Sequence, residues 1–224
     1  AMVVGDGRGV HGGRWGAAPY WKNPKLPMAQ VVAGLLMFGP LFTAFWTPWK
    51  YNCSGIGTSY TQLSFAGTVP FSVINHFGHA AAGRWVPVLQ KLDRSFIALS
   101  CTFGCYGMSQ DLAFTMGSVI LALVTVSLMW LGSPRFRDSE SLATGLVALC
   151  ILYGLVPMIL YRDSIDPNLV PAASAILAGF ALFQCDPLGV WTDSAWHLLL
   201  VPYVYFCQLS AISLDQRSGI CVSP

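Results

Sequence analysis

Seven stretches of mostly apolar residues divide this chain, and their length limits its architecture more than any other feature. A helix rising about 1.5 Å per residue needs roughly 20 such residues to cross a hydrocarbon core of about 30 Å. The stretches run over 28–47, 62–82, 94–110, 112–131, 142–161, 168–185 and 193–213. A transmembrane barrel would show alternating segments of about ten residues instead, so strands are not expected. Only 10% of residues are charged and the mean hydropathy is +0.58, whereas soluble domains carry about 25% charged residues. The reading is an all-α, polytopic membrane protein with seven transmembrane helices. A basic, Gly-rich arm (1–27) precedes the bundle (28–213), and a short tail (214–224) follows it. Short loops make sequence neighbours antiparallel neighbours. Pro40 is expected to kink the first helix, and Asp111 to mark a tight turn.

Basic residues in short loops set orientation. Arg8, Arg14, Lys22 and Lys25 lie in the arm, Arg84, Lys91 and Arg94 flank the second loop, and Arg135 and Arg137 lie in the fourth. Lys50, Arg162 and Arg217 stand singly on the other side. The N-terminus is therefore placed inside (cytosol or matrix) and the C-terminus outside. The arm is not read as a signal peptide, because no short apolar core directly follows its basic residues. An acid-poor basic arm favours the mitochondrial inner membrane, whereas the sequon Asn52-Cys53-Ser54 on the outer side suits the secretory pathway. A net charge of +2 with no Lys/Arg stripe excludes nucleic acid as a partner. Of the seven cysteines, Cys101, Cys105, Cys150 and Cys207 fall in apolar runs, and they read as small buried apolar groups, not a disulfide framework. Trp15, Trp21, Trp46, Trp49, Trp85, Trp130 and Trp191 sit at segment ends, as an interfacial aromatic belt requires.

Polar chemistry is concentrated in few places. The histidines are His11, His76, His79 and His197. Ser72 and His76 are one helical turn apart, as are Asp193 and His197, so each pair shares a face. With alternating helix directions, the end of the second segment, Asp93 at the start of the third and Asp193–His197 at the start of the seventh fall at one depth. Ionisable groups inside a membrane bundle face its interior with a partner, and imidazole with carboxylate suits zinc. The same residues also have plain structural roles. A histidine near a helix end reaches interfacial water, Asp193 can cap a helix, and Asp93 can pair with Lys91 or Arg94.

Ser72-Val-Ile-Asn-His76, then Gln90-Lys-Leu-Asp93-Arg-Ser-Phe-Ile97, then the one-turn pair of the last helix, resemble the alkaline ceramidase and progestin/adipoQ receptor superfamily. The resemblance implies a seven-helix fold and a zinc ion, with His76 and His197 as ligands and Ser72 and Asp93 positioning the ion and a water. The activity it implies is hydrolysis of a lipid amide or ester. Asp193 stands where that family has a further histidine and is assigned as the third ligand, with His79 as a substitute. Arg94 stands where the family has an aromatic or acidic residue.

These departures look like drift from catalysis. Small residues along the helices (Gly117, Ser118, Gly145, Gly154, Ala172, Ala173, Ser174, Ala175, Gly179) permit close packing with other subunits. The favoured expectation is a degenerate relative serving as an accessory subunit of a larger membrane complex, its partners being membrane lipids and other subunits. The alternative is an intramembrane zinc-dependent hydrolase.

Overall fold

A computed structural model describes residues 25–81, 86–134, 139–161 and 163–221. Most of the arm lies outside them, as do Arg84, Arg135, Arg137, Arg162, Trp15, Trp21 and Trp85. The charge asymmetry behind the orientation therefore falls largely outside the described residues.

Every regular element among the described residues is helical. In chain order they are α1 (Leu26–Leu36), α2 (Phe38–Lys50), α3 (Ile56–Ala80), α4 (Val86–Ser109), α5 (Leu112–Leu131), α6 (Glu140–Leu155), α7 (Pro157–Leu160), α8 (Leu169–Cys185) and α9 (Thr192–Arg217). A 3-10 turn, Gly189–Trp191, leads into α9. Met37 separates α1 from α2. Pro40 has no N–H for the Leu36 carbonyl and its ring crowds that oxygen, so the disturbance expected at Pro40 falls a turn earlier. Asp111 caps α5, its Oδ1 accepting from the Phe114 N–H at 2.7 Å, which is the turn the sequence marks.

Among the described residues, four helical spans are long and apolar enough to cross a membrane: Leu26–Lys50, Leu112–Leu131, Ser141–Leu160 and Gly189–Arg217. The other three expected spans fall to α3, α4 and α8. The last is apolar but has 17 residues. The first two are long, with 25 and 24 residues, but are diluted by polar side chains turned inward. Those include Thr58, Thr61, Ser64, Ser72, Asn75 and His76 on α3, and Asp93, Ser95 and Ser100 on α4. Several hydroxyls donate to the carbonyl one turn back, as Thr61 does to Gly57 (2.9 Å) and Thr47 to Thr43 (2.8 Å). Such polar groups cost little in an apolar bundle because they are satisfied within their own helix.

The start of α3 meets the end of α9. Asp215, with no accessible surface, accepts from the Gly57 N–H (2.9 Å) and the Thr58 N–H (2.8 Å), thereby capping α3 from another helix. Gln110 Nε2 donates to the same carboxylate at 2.8 Å. Beside it, Cys53 and Cys221 form a disulfide across 168 positions. Neither cysteine lies in the apolar runs from which the four buried thiols are expected. The four cysteines of the apolar runs are free, as expected, with Cys105, Cys150 and Cys207 buried. The main apolar core, around Met108, Ile151, Met158, Ile176 and Val204, joins α4 and α6–α9.

Candidate functional site

The opposite end of the bundle brings the expected polar residues together. Because α3 runs toward this end while α4 and α9 leave it, Ser72, His76, Asp93, Asp193 and His197 all line one cavity of about 120 Å³. Asn75, His79, Gln90 and Arg94 line it too. The five expected residues are all buried. One detail differs: α4 begins at Val86, so Asp93 lies about two turns inside the helix and does not open it.

The imidazoles of His76 and His197 meet edge to face, with centroids 4.7 Å apart and planes at 83°. His197 Nδ1 lies 2.8 Å from the Ala33 carbonyl of α1. A carbonyl only accepts, so the proton sits on Nδ1 and the lone pair on Nε2. His76 Nδ1 lies 2.7 Å from Gln30 Oε1, and Gln30 Nε2 donates to Asp193 Oδ2 at 2.8 Å. Asp193 is thus bound to Gln30 instead of capping α9, whose start has no side-chain cap. Asp93 Oδ2 accepts from Asn75 Nδ2 at 3.0 Å across the α3–α4 contact. Among the described residues, Asp93 Oδ1 and Asn75 Oδ1 are buried acceptors without a hydrogen-bond partner. A buried acceptor left unmatched costs about 1–3 kcal/mol, so these two atoms mark where a water or a ligand N–H or O–H belongs.

Gln30 escaped the sequence reading. It sits 1% exposed in the first of the expected transmembrane spans. A polar side chain amid apolar neighbours was the available signal, but its partners are 46 and 163 positions away.

A second cavity, of about 80 Å³, shares Ser72, Ile97, Ile151, Trp196 and His197 with the first. Its remaining walls include Phe65, Val69, Met108, Leu200 and Tyr203, and it extends along α4 and α9 toward the disulfide end. The cavity that holds the histidines and carboxylates and the more apolar one therefore share a wall that includes Ser72 and His197.

Among the described residues, the ligand atoms of His76, Asp193 and His197 do not all lie within 4.8 Å of one another; Cys53, Asp215 and Cys221 do. In that second group the sulfurs are joined in a disulfide and offer no thiolate, and both carboxylate oxygens already accept hydrogen bonds. Compared with protein-family models, with curated proteins and with solved structures, the chain matches none.

Proposed function

We propose that this chain is a seven-span integral membrane protein whose polar cavity is a hydrolytic site for lipid amide or ester bonds, with zinc as its metal. The observation that carries this reading is the shared wall of the two cavities. Ser72 and His197 belong to both, so an acyl chain in the apolar chamber ends beside the polar one.

The donor set fits zinc in part. His197 presents Nε2 because its Nδ1–H is given to Ala33, and its neighbour His76 lies in ring contact with it. Metal-bound histidines characteristically donate their other ring N–H in this way. His76 and His197 would hold the ion, with Asp193 as the third ligand through an oxygen other than the one bound to Gln30. Zinc supplies Lewis acidity that polarises a carbonyl and lowers the pKa of a water to about 7. The remaining work belongs to the chain. Asp93 Oδ1 and Asn75 Oδ1 accept N–H or O–H groups entering the chamber, Ser72 holds the junction, and the apolar walls exclude bulk water and align the chain.

A second reading is the accessory subunit, in which the pocket is a relic and membrane-protein partners cover the bundle. It is favoured by the spread of the candidate ligand atoms of His76, Asp193 and His197, which do not all lie within 4.8 Å of one another. One experiment separates the two. Zinc is measured in protein purified without chelator, beside His76→Ala, and hydrolysis of N-acyl and O-acyl lipids is assayed on both. Stoichiometric zinc and turnover, both lost in His76→Ala, support the hydrolase. Metal-free, inert protein that co-purifies at fixed ratio with other membrane subunits supports the scaffold.

The disulfide belongs on an oxidising side, at the end that carries the sequon. This favours the C-terminus facing a lumen or the intermembrane space and the polar cavity facing cytosol or matrix. A glycosidase-sensitive mobility shift lost in Asn52→Gln would assign the secretory pathway; its absence keeps the mitochondrial inner membrane.

A further inference from the structure

Gln30 hydrogen-bonds both His76 and Asp193, two of the three proposed zinc ligands, and its geometry carries information that the ligands alone do not. Its side chain joins α1 to α3 and α9, through His76 Nδ1 at 2.7 Å and Asp193 Oδ2 at 2.8 Å. An amide has one donating end and one accepting end. A carboxylate only accepts, so Asp193 must face the Gln30 NH₂. That leaves Oε1 facing His76, and Oε1 only accepts. His76 must therefore carry its proton on Nδ1, which places the lone pair on Nε2.

We infer that Gln30 is a positioning residue that transmits the placement of Asp193 into the tautomer of His76. The amide reads the carboxylate with one end and writes the imidazole's proton position with the other. His197 is set in the same tautomer by a different device, the Ala33 carbonyl three residues further along α1. Helix α1 thus orients both imidazoles from one side, Gln30 and Ala33 lying on one helical face. The inference deepens the hydrolase reading and rests on it only for its consequence. The tautomer itself belongs to the protein with or without metal or activity.

The reverse tautomer would put the proton on Nε2 and leave His76 unable to bind a cation there. Partners of ligating histidines typically change metal affinity about 10–100-fold when removed. Gln30→Met keeps the volume and deletes both hydrogen bonds. Gln30→Glu keeps an oxygen against His76 and can share one proton with Asp193, so it preserves the relay.

The test is ¹⁵N spectroscopy of histidine-labelled full-length protein in nanodiscs, with His76 assigned by loss of its signal in His76→Gln. Protonated and bare ring nitrogens are spectroscopically distinct. The expected result is Nδ1–H with bare Nε2 for His76 in the wild type and in Gln30→Glu, and a mixed or reversed tautomer in Gln30→Met. His197 should be unchanged in all three, which reports that the fold survives. Added zinc should bind Gln30→Met about 10–100-fold more weakly than the wild type. An Nε2–H signature for His76 in the wild type overturns the inference, and so does a Gln30→Met spectrum identical to the wild type. The tautomer pattern without zinc binding or lipid hydrolysis sinks the hydrolase and leaves the relay standing. Zinc binding and hydrolysis together with a Gln30→Met spectrum identical to the wild type do the reverse.

Discussion

Replacing Asp215 with alanine should be the most damaging single change at the end of the bundle away from the polar cavity. Its carboxylate accepts three hydrogen bonds of 2.8–2.9 Å, two from the first backbone N–H groups of α3 and one from Gln110. No side chain of α3's own start replaces it, since the residue before the helix is Gly55. Each buried donor left without an acceptor costs about 1–3 kcal/mol. The negative charge at a helix N-terminus adds up to about 2 kcal/mol in a buried setting. Water reaching the vacated space recovers part of this, so the expected net loss is about 3–6 kcal/mol. At roughly 2–4 °C per kcal/mol for a chain of this size, melting should fall on the order of 10 °C. Asp163→Ala is the control. Its ion pair with Arg217 has a similar distance, 3.1 Å, but the carboxylate side chain is 95% exposed, and pairs of that kind contribute less than about 1 kcal/mol. Tryptophan fluorescence during a thermal ramp in detergent reads both variants. If Asp215→Ala melts within about 2 °C of Asp163→Ala, burial is not what gives this carboxylate its weight, and the capping account fails.

Two further outcomes follow from the same geometry. A Cβ on Gly107 would lie 2.7 Å from the Gly57 carbonyl and 2.9 Å from the Thr61 nitrogen, both backbone atoms. Gly107→Ala must therefore push α3 from α4, at about 1–3 kcal/mol, whereas Gly145→Ala meets nothing within 4 Å and should be neutral or stabilise by up to about 1 kcal/mol. Melting curves of the two variants should separate in that order. Denatured without reductant, the chain should label five of its seven cysteines with a thiol-reactive reagent, the two spared being Cys53 and Cys221. Labelling of all seven would remove the disulfide and with it the argument for an oxidising side.

What was legible in the sequence follows from how each feature is encoded. Helices in lipid announce themselves by continuous apolar length, so the all-helical architecture and the start of α9 beside Asp193 are read directly. The depth at which Ser72, His76, Asp93, Asp193 and His197 meet is legible too, because antiparallel alternation and helical periodicity are local rules that propagate. The start of α4 is not legible from apolarity, since its first turns carry Gln90, Lys91, Asp93 and Arg94. A hydropathy ruler treats these residues as loop. Spans that are polar inside fail the same ruler for the same reason, which is why α3 and α4 are long but do not qualify as apolar.

The features that escaped are those with one member in each of two distant segments. Gln30 is a single polar residue in α1, Asp215 a single acid near the end of α9, and Cys53 and Cys221 are separated by 168 positions. None makes a pattern alone. Each acquires meaning only once packing supplies its partner, and together they hold both ends of α3. Asp215 and the disulfide fix its start, while Gln30 grips His76 near its finish. Both ends answer to α9, whose Asp193 anchors Gln30 and whose Asp215 caps α3. The register between α3 and α9 is therefore fixed at both ends of the bundle, and the His76–His197 contact lies on that register. A one-residue slip of α9 turns it by about 100° and carries His197 away from both Ala33 and His76. The distant cap is thus a condition of the polar site's geometry. Asp215→Ala should accordingly disturb the His197 ring signals as well as the melting temperature, whereas Asp163→Ala should disturb neither.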